Sequence, residues 1–386
     1  MKVCGVIVEY NPFHNGHLYH VQQAREKTGA DMVIAVMSGN FLQRGEPAIL
    51  DKWQRANQAL QNGIDLVVEL PLEWSLQPAD FFAQGAIAIL QALRCDFLCF
   101  GTDAADTFDY QAFGEFVAEN QSLIDEEFKK NMDPNKTYPQ KMTETLQKLY
   151  PGLEISENQP NHVLALSYAQ MNAKYPQPMK LFPVARKGAG YHSMELSQTI
   201  ASATAIRKAV QQGSEIANFV PSQTAADLTK DIITWNDYWP LLRYRILSSS
   251  HQELKNIYQM VDGLEYRIKS LIHDTEDFDD FLIKLKTKRY TRTRLQRLLC
   301  YVLLNIRQDM MEEQWQKPYL HVLGFTEAGQ KFLAARKDLE WPLFTKIGKK
   351  EGTYAAVTLR GDQVYQLGKA SINEQNFGRQ PLRILK

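Results

Sequence analysis

Residues 6–20 of the chain read VIVEYNPFHNGHLYH. An apolar run typical of a buried strand leads into Pro12, and a helical pattern follows Gly16. A strand, a tight turn and a helix entered at a glycine bring free backbone N–H groups and the positive end of the helix dipole to one point. Such a point binds anions, typically a phosphate. The sequence therefore predicts an anion site at the start of this helix.

His14 and His17 stand three residues apart, on one face of the first helical turn. Their imidazoles can donate hydrogen bonds to a phosphoryl oxygen that gains charge during a reaction, and losing one such donor typically costs ~10²–10³-fold in rate. They could be metal ligands instead, although no third ligand of suitable spacing lies nearby, or capping residues without a chemical role. We interpret them as candidate catalytic residues.

Short apolar runs recur along the first half of the chain, and segments of helical period separate them. The runs are residues 3–8, 32–37, 66–70, 97–100 and 181–184. This alternation predicts βαβ units around a buried parallel sheet. Ligands of such sheets bind outside the carboxyl ends of the strands. Residues 107–178 read as helices and loops.

The net charge is zero, but the charges are unevenly distributed. Residues 1–150 contain 12 Lys+Arg and 20 Asp+Glu, whereas the remainder contains 32 and 24. A polyanionic partner would therefore bind the second part. After Pro221 helical patterns predominate, and the tail GTYAAVTLRGDQVYQLG alternates about Gly361-Asp362, which predicts a β-hairpin. We expect an α/β domain over 1–220 and a mainly helical domain with this small β element over 221–386.

The segment KLKTKRYTRTRLQRLL, residues 284–299, contains seven basic residues and no acidic one. Its leucines from Leu295 onward trace the buried face of a helix, so the cations gather at the helix N-terminus. There each opposes the dipole by ~0.3–1 kcal/mol, a cost that a bound anion would offset. Tyr290 could stack on a base; a solvated basic face is the alternative. The candidate RNA-binding residues are Lys284, Lys286, Lys288, Arg289, Arg292, Arg294 and Arg297.

Several classes of protein are disfavoured. No apolar run approaches the ~20 residues of a membrane span, and the N-terminus does not read as a secretory signal. The four cysteines have no zinc spacing and are interpreted as buried thiols in a reducing cytoplasm. We therefore expect no metal site made by protein side chains, no membrane contact and no obligate protein partner.

The His-x-Gly-His motif after Asn-Pro-Phe resembles the adenylyl-transferring nucleotidyltransferase superfamily. A second element of that superfamily, a Ser/Thr-rich helix start ending in Ile-Arg, is matched by ASATAIRKAV at 201–210. The resemblance implies a Rossmann-like sheet that binds ATP and releases pyrophosphate. Many members have Phe-Asp-Pro where this chain has Tyr10-Asn11-Pro12, which points to a narrower branch. The residues implied to contact phosphates are Ser202, Thr204, Arg207 and Lys208.

The motifs EYNPFHNGHLYH, VMSGNFLQRGEPAILDKWQRA, DLVVELP, FGTD, QPNHVLALSY, ARKGAGYH and KTKRYTRTRLQRLL together resemble the bacterial tRNA(Met) cytidine acetate ligase family. Membership implies that the enzyme activates acetate with ATP to acetyl-adenylate and then acetylates N4 of the wobble cytidine of elongator tRNA(Met). The ATP site that the resemblance implies comprises Ile7, Val8, Glu9, Tyr10, Asn11, Pro12, Phe13, His14, Asn15, Gly16, His17, Leu18, Tyr19, His20, Gly101, Asn161, Arg186 and Lys187.

The loop SGNFLQRGEPAILDKW, after the second strand, is a candidate acetate pocket and lid through Gln43, Arg44, Asp51 and Lys52. Mg²⁺ bridging the phosphates fits this chemistry, because it binds largely through water and substrate. Two alternatives stay open. An adenylyltransferase acting on a small molecule would not need the basic second half, and a non-catalytic RNA-binding protein would not need the histidines.

Overall fold

The five apolar runs of the first half form strands. The computed structural model describes residues 1–133, 136–155, 159–186, 200–261 and 263–384. Every residue of the second and third strands is buried, as expected for strands covered on both faces. The strands are β1 (Val3–Val8), β2 (Met32–Ser38), β3 (Leu66–Leu70), β4 (Phe97–Thr102) and β5 (Lys180–Ala185).

These strands are parallel and lie in the order β5-β4-β1-β2-β3. The chain runs outward from β1 through β2 to β3, and then crosses to the other side of β1 to form β4 and β5. This reversal leaves a crevice at the carboxyl ends of β1 and β4, where open parallel sheets bind their ligands. The predicted α/β fold with a Rossmann-like parallel sheet is confirmed.

Helices cover both faces of the sheet. The first and second helices pack on one face through residues such as Val21 and Ala56, whereas the fourth and eighth pack on the other through Phe82 and Leu166. The helices of this part are α1 (Asn15–Thr28), α2 (Lys52–Gln61), α3 (Leu72–Ser75), α4 (Ala79–Ala92), α5 (Tyr110–Glu119), α6 (Gln121–Lys130), α7 (Tyr138–Leu149), α8 (Pro160–Ala173) and α9 (Ala203–Gln211).

The segment after Pro221 is helical, as predicted, and has its own core, in which Trp235 stacks on Phe278 with ring centroids 4.0 Å apart. Among the described residues no helix is both long enough and apolar enough to cross a membrane. The helices here are α10 (Ser222–Leu228), α11 (Trp235–Ser248), α12 (His251–Lys255), α13 (Leu264–Leu271) with a 3-10 turn at Ile272–Asp274, α14 (Phe278–Leu285), α15 (Arg292–Leu304) and α16 (Gln308–Trp315).

The chain then returns to the sheet. Strand β6 (Leu320–Thr326) pairs antiparallel with β3 and is followed by α17 (Glu327–Ala335). Strands β7 (Leu343–Phe344) and β8 (Leu382–Ile384) both pair parallel with β6. Part of the expected second domain therefore completes the sheet of the first.

The predicted C-terminal hairpin is wrong. Most of GTYAAVTLRGDQVYQLG forms α18 (Ala356–Gln366), which follows a 3-10 turn at Glu351–Thr353. Gly361, expected in a turn, packs against α3 so closely that a Cβ would lie 2.3 Å from Leu72 Cδ1. Val357 and Tyr365 are buried in the helical core. Packing in this position overrides the strand preference of the Val and Tyr residues.

Glu73 in α3 makes the stability of this packing dependent on pH. The side chain is 2% exposed, and burial raises its pKa to about 8, with a further increase from Glu69. The folded protein keeps the proton while the unfolded chain releases it near the ordinary value of 4.5. Stability therefore falls as pH rises from about 4.5 towards 8, by up to ~1.4 kcal/mol per unit, and levels off above it.

Glu73→Gln is neutral at every pH and can still accept the hydrogen bond of Thr358 Oγ1. We expect it to raise the melting temperature at pH 8 and to change it little at pH 5. Thermal unfolding of both proteins at the two pH values measures this. An equal change at both would mean that Glu73 does not retain its proton in the folded state.

Candidate functional site

A cavity of about 320 Å³ lies at the carboxyl ends of β1, β4 and β5. It occupies the crevice expected from the strand order, and most of the predicted ATP-site residues line it. These are Ile7, Val8, Glu9, Tyr10, Asn11, His14, Gly16, His17, Tyr19, His20, Gly101, Asn161 and Arg186. The lining also contains the predicted phosphate and acetate residues Ser202, Thr204, Arg207, Gln43 and Arg44.

Some predicted residues take other positions. Pro12, Phe13, Asn15 and Leu18 lie outside the described lining of the cavity. Phe13 is fully buried in the core beneath α1, and Asn15 Nδ2 donates a hydrogen bond to the carbonyl of Asn218 at 2.9 Å. Successive residues of a turn and helix point in different directions, so a continuous range cannot all face one cavity. Lys187 lies outside the described residues.

Sequence reasoning missed part of the lining. One missed residue is an acid in the loop after β2. The others are mainly apolar and come from α4, β4, α8, β5 and the start of α9. These residues are Glu46, Phe82, Phe100, Leu164, Tyr168, Val184, Ala185, Ile200, Ala201 and Ala203. Adjacency to Gly101 and Ser202 could have suggested Phe100 and the residues around 200–203. The residues from α4 and α8 carry no such signal, because only the packing of those helices brings them to the cavity.

His14 is the N-cap residue of α1. Its backbone is extended, and its Nδ1 accepts a hydrogen bond from Gly16 N at 3.0 Å. In the neutral imidazole the proton must then reside on Nε2, which is left as a donor. Gly16 permits this position, because a Cβ there would lie 2.8 Å from His14 Cε1. The glycine of the motif is thus required by the histidine that precedes it.

His17 stacks on His14, with ring centroids 3.7 Å apart, and its Nδ1 accepts a hydrogen bond from His14 N at 3.3 Å. Burial lowers the pKa of His14 to about 3, and the neighbouring Arg186 and Arg207 lower it further. The pKa of His17 is also well below its ordinary value, through burial and the proximity of His14. Burial lowers that of His20 to about 4. These histidines therefore line the cavity as neutral hydrogen-bonding groups.

Cations and a second helix start face the histidines. Ser202 caps α9, where its Oγ accepts from Ala205 N at 3.1 Å. Arg207 donates to the carbonyl of Asn11 at 2.9 Å and pairs with Glu46 at 3.1 Å. Two helix N-termini, α1 and α9, thus meet at one cavity. Each offers backbone N–H groups and the positive end of its dipole to an anion.

The loop after β2 contributes Gln43, Arg44 and Glu46 to the lining. It turns sharply at Gly45, which has a φ of 79°, with the Leu42 N–H bonded to the Glu46 carbonyl at 3.0 Å. These residues lie where the sequence predicted an acetate pocket.

Asp51 and Lys52 do not belong to this pocket, so that part of the prediction is wrong. Asp51 caps α2 through hydrogen bonds from Trp53 N and Gln54 N. Lys52 is fully buried, and its Nζ lies 2.9 Å from Glu69 Oε1 and 2.7 Å from Asp362 Oδ2. Helix α18, which the sequence did not predict, covers this part of the loop. Lys52 was expected to be exposed but is therefore buried in an ion pair.

The basic segment comprises the last residues of α14, the connection to α15 and the N-terminal part of α15. Thr291 caps the helix, with Oγ1 accepting from Arg294 N at 3.2 Å. Among the predicted RNA-binding residues, Lys284 pairs with Asp280 at 2.9 Å and Arg292 with Asp279 at 2.6 Å. Five of the predicted cations are exposed: Lys284, Lys286, Lys288, Arg289 and Arg292. Arg294 is half-buried.

Two predictions for this segment are wrong. Arg297 is 7% exposed and donates from Nη1 to the carbonyl of Gln43 at 3.2 Å, so it holds the cavity loop rather than facing a partner. Tyr290 is buried beneath Arg294, whose guanidinium lies 4.4 Å from the ring centroid. Its ring face is therefore not open to a base. Both residues were predicted to face a partner because they lie in a basic segment. The charge pattern of a segment does not show in which direction each side chain points.

Comparison with known proteins is consistent with this site. The family described as HIGH Nucleotidyl Transferase matches residues 1–380. Proteins described as tRNA(Met) cytidine acetate ligase from Streptococcus pneumoniae strains P1031 and D39 are each 45% identical over 384 residues, covering 100% of this chain and 99% of the relative.

Two crystal structures of Thermotoga maritima TmcAL match the whole chain and are covered completely by it. The apo form I has a TM-score of 0.89 at 29% identity, and the form bound with alpha-thio ATP has a TM-score of 0.86 at 28% identity. With the histidine motif, the parallel sheet and the full-length identity, the chain belongs to the HIGH nucleotidyl transferases and, among them, to the tRNA(Met) cytidine acetate ligase family.

Proposed function

We propose that this chain is an ATP-dependent ligase that acetylates N4 of the wobble cytidine of elongator tRNA(Met). The observation that carries the proposal is the cavity between the starts of α1 and α9, where neutral His14 faces Arg207. Such a site can hold a triphosphate from two sides without a covalent intermediate. The name of the relatives supplies the acceptor, and the ATP analogue in the related structure supports the nucleotide.

In the first step a carboxylate oxygen of acetate attacks the α-phosphorus of ATP. A P–O bond to acetate forms, the bond to the β-phosphate breaks, and pyrophosphate leaves. Catalysis consists of positioning and charge stabilisation. His14 Nε2–H donates to the α-phosphate, with His17 stacked behind it, while Ser202, Thr204 and Arg207 hold the leaving pyrophosphate. The paired Glu46 keeps Arg207 directed at the cavity.

Acetate would bind between the loop after β2 and the apolar part of the lining. Gln43 and Arg44 supply polar groups for its carboxylate, and Phe82, Phe100 and Tyr168 supply apolar surface for its methyl group. Among the described residues no group of three His, Cys, Asp or Glu side chains could hold a metal ion. A Mg²⁺ ion would therefore be held by the phosphate oxygens of ATP and by water.

In the second step the 4-amino group of cytidine attacks the acetyl carbon, and AMP leaves. The amine is a weak nucleophile because its lone pair is delocalised into the ring, so it needs an activated acyl donor. The base must also be unstacked from the anticodon loop and delivered to the cavity. We assign tRNA binding to the exposed cations of 284–292 and to Arg294. The buried thiols suit a reducing cytoplasm, where we place the reaction.

Phosphate contacts by these cations should make tRNA binding depend steeply on salt. Replacing Lys288, which is exposed, by Ala is expected to weaken binding and to lower the slope of log K against log salt by about 1. Filter binding at several salt concentrations measures both quantities. Lys331, an exposed lysine of α17 paired with Glu327, is the matched control and should leave the slope unchanged when replaced. A slope unaffected by Lys288→Ala would remove that residue from the RNA contact.

The function is tested by incubating the protein with ATP, labelled acetate and unmodified elongator tRNA(Met), followed by digestion and mass spectrometry of the RNA. N4-acetylcytidine confined to the wobble position supports the proposal. Acetate-dependent exchange of pyrophosphate into ATP without any acetylated base would retain acetate activation and refute the acceptor. RNA binding without exchange would favour a non-catalytic binding protein instead.

A further inference from the structure

A carboxylate stands in a cavity otherwise built for anions. Glu9 follows β1 and lines the same cavity as His14, Arg186 and Arg207. A negative charge there repels phosphate and acetate, so their binding does not account for it. The residue therefore requires another role, and a carboxylate facing a substrate can accept a hydrogen bond or a proton.

The carboxylate of Glu9 is held in position by a backbone hydrogen bond. Its Oε1 accepts a hydrogen bond from Gln43 N at 2.8 Å, and its backbone carbonyl accepts one from the buried Arg55 at 2.6 Å. In the described part of the chain no Lys, Arg or His forms an ion pair with it, whereas the other acid of the cavity, Glu46, pairs with Arg207. Oε1 of Glu9 is thus held in place by the backbone of the loop after β2.

The position of Glu9 relates it to the incoming RNA rather than to ATP alone. The backbone N–H of Gln43 donates a hydrogen bond to Glu9. The backbone carbonyl of Gln43 accepts one from Arg297 of α15. The exposed Arg292 is the first residue of that same helix, and the exposed Lys288 and Arg289 lie just before it. Glu9 is therefore connected, through Gln43, to the helix that begins at the basic segment.

We propose that Glu9 is the proton acceptor for the 4-amino group of cytidine in the transfer step. This inference rests on the proposed function. As the nitrogen lone pair attacks the acetyl carbon, an N–C bond forms and the C–O bond to AMP breaks with its electron pair. The nitrogen releases one proton to the carboxylate of Glu9, which yields the amide and AMP. The carboxyl then passes the proton to solvent.

Titratable and charged groups surround the carboxyl of Glu9. Burial raises its pKa, and the charge of Glu46 raises it further, while the Gln43 N–H and the charges of Arg44 and Arg55 oppose this increase. Tyr168 of α8 also faces it, and burial and Glu9 together raise the pKa of that phenol. A positioned general base typically contributes ~10²–10⁴-fold to a rate.

Glu9→Gln tests the proposal, because the amide keeps the shape and the bond from Gln43 N but cannot take a proton. Three quantities are measured on the full chain: tRNA acetylation, tRNA binding, and acetohydroxamate formed from acetate, ATP and hydroxylamine. Hydroxylamine is a strong nucleophile that needs no enzymatic base, so its product reports adenylate formation alone. We expect the ratio of tRNA acetylation to hydroxamate formation to fall by ~10²-fold or more in Glu9→Gln, without a matching loss of tRNA binding.

A comparison variant, Glu46→Gln, should give the opposite pattern. It removes the partner of Arg207, so hydroxamate formation and tRNA acetylation should fall together. An equal loss of acetohydroxamate and acetylated tRNA in Glu9→Gln would show that Glu9 acts in adenylate formation and would overturn the proposal. Wild-type tRNA acetylation by Glu9→Gln would overturn it as well. Absence of N4-acetylcytidine with the wild type would refute the proposed function, and this inference with it.

Discussion

Replacing His14 by Ala is expected to lower acetate-dependent pyrophosphate–ATP exchange by ~10²–10³-fold, the usual cost of one lost donor to a developing charge. The imidazole is held by Gly16 N on one ring nitrogen and by stacking on His17, so its second nitrogen has a fixed direction. Its low pKa keeps it neutral, and a neutral donor needs no proton uptake before ATP binds. Exchange should therefore not decline between pH 6 and pH 8 through titration of this group.

His14→Ala also removes the cap of α1, which by itself costs ~0.5–2 kcal/mol. His14→Asn separates the two effects, since the amide oxygen of Asn can accept from Gly16 N while no group replaces Nε2. We expect His14→Asn to recover thermal stability and to remain as inactive in exchange as His14→Ala. Recovery of exchange in the Asn variant would assign His14 to capping alone.

The first half of the fold was predictable because its signals are local. Each buried strand is a run of adjacent apolar residues, and the anion site follows from one turn and one helix start. The histidines were found by the same reasoning, since their hydrogen-bond partners lie within three residues of them. Local signals also gave the start of α15 and the cap at Ser202.

The errors share a different origin. Lys52 was expected at an open loop, but its carboxylate partners Glu69 and Asp362 lie on β3 and on α18. The tail has the alternation of a hairpin, yet it is helical because Val357 and Tyr365 pack into a core made by distant helices. When partners far along the chain determine whether a short segment is buried, the segment alone does not show whether a charged side chain is exposed. It also does not show whether the segment forms a strand or a helix.

The apolar part of the cavity was missed for the same reason. Phe82 and Tyr168 lie on α4 and α8, which cross one face of the sheet, and only that crossing directs them at the end of β1. The role of Glu46 can be recognised only from its ion pair with Arg207, which lies in α9, after β5. The sequence motif located one side of the cavity, whereas the other side is assembled from residues that belong to no motif.

Arg297 offers the second large effect, because it connects the basic helix with the cavity. Besides its bond to the Gln43 carbonyl, α15 presses against the loop at Gly45, where a Cβ would lie 2.2 Å from Arg297 N. Trp235 Nε1 donates to the Gly45 carbonyl at 3.0 Å. Losing a hydrogen bond from a charged donor costs ~1.5–3 kcal/mol, so Arg297→Ala should lower exchange by on the order of 10-fold or more. This is an effect on a reaction that involves no tRNA.

The matched variant is Arg292→Ala, which removes an exposed cation of the same helix. It should weaken tRNA binding and leave pyrophosphate–ATP exchange unchanged. Arg297→Ala should lower this exchange and leave tRNA binding unchanged. Arg297→Lys, which keeps a donor that can reach the loop, should recover part of the exchange. Trp235→Phe loosens the same loop without removing a buried charge, so it should lower exchange as well. If Arg297→Ala reduces tRNA binding and spares exchange, Arg297 contacts RNA despite its burial, and the loop holds its position without it.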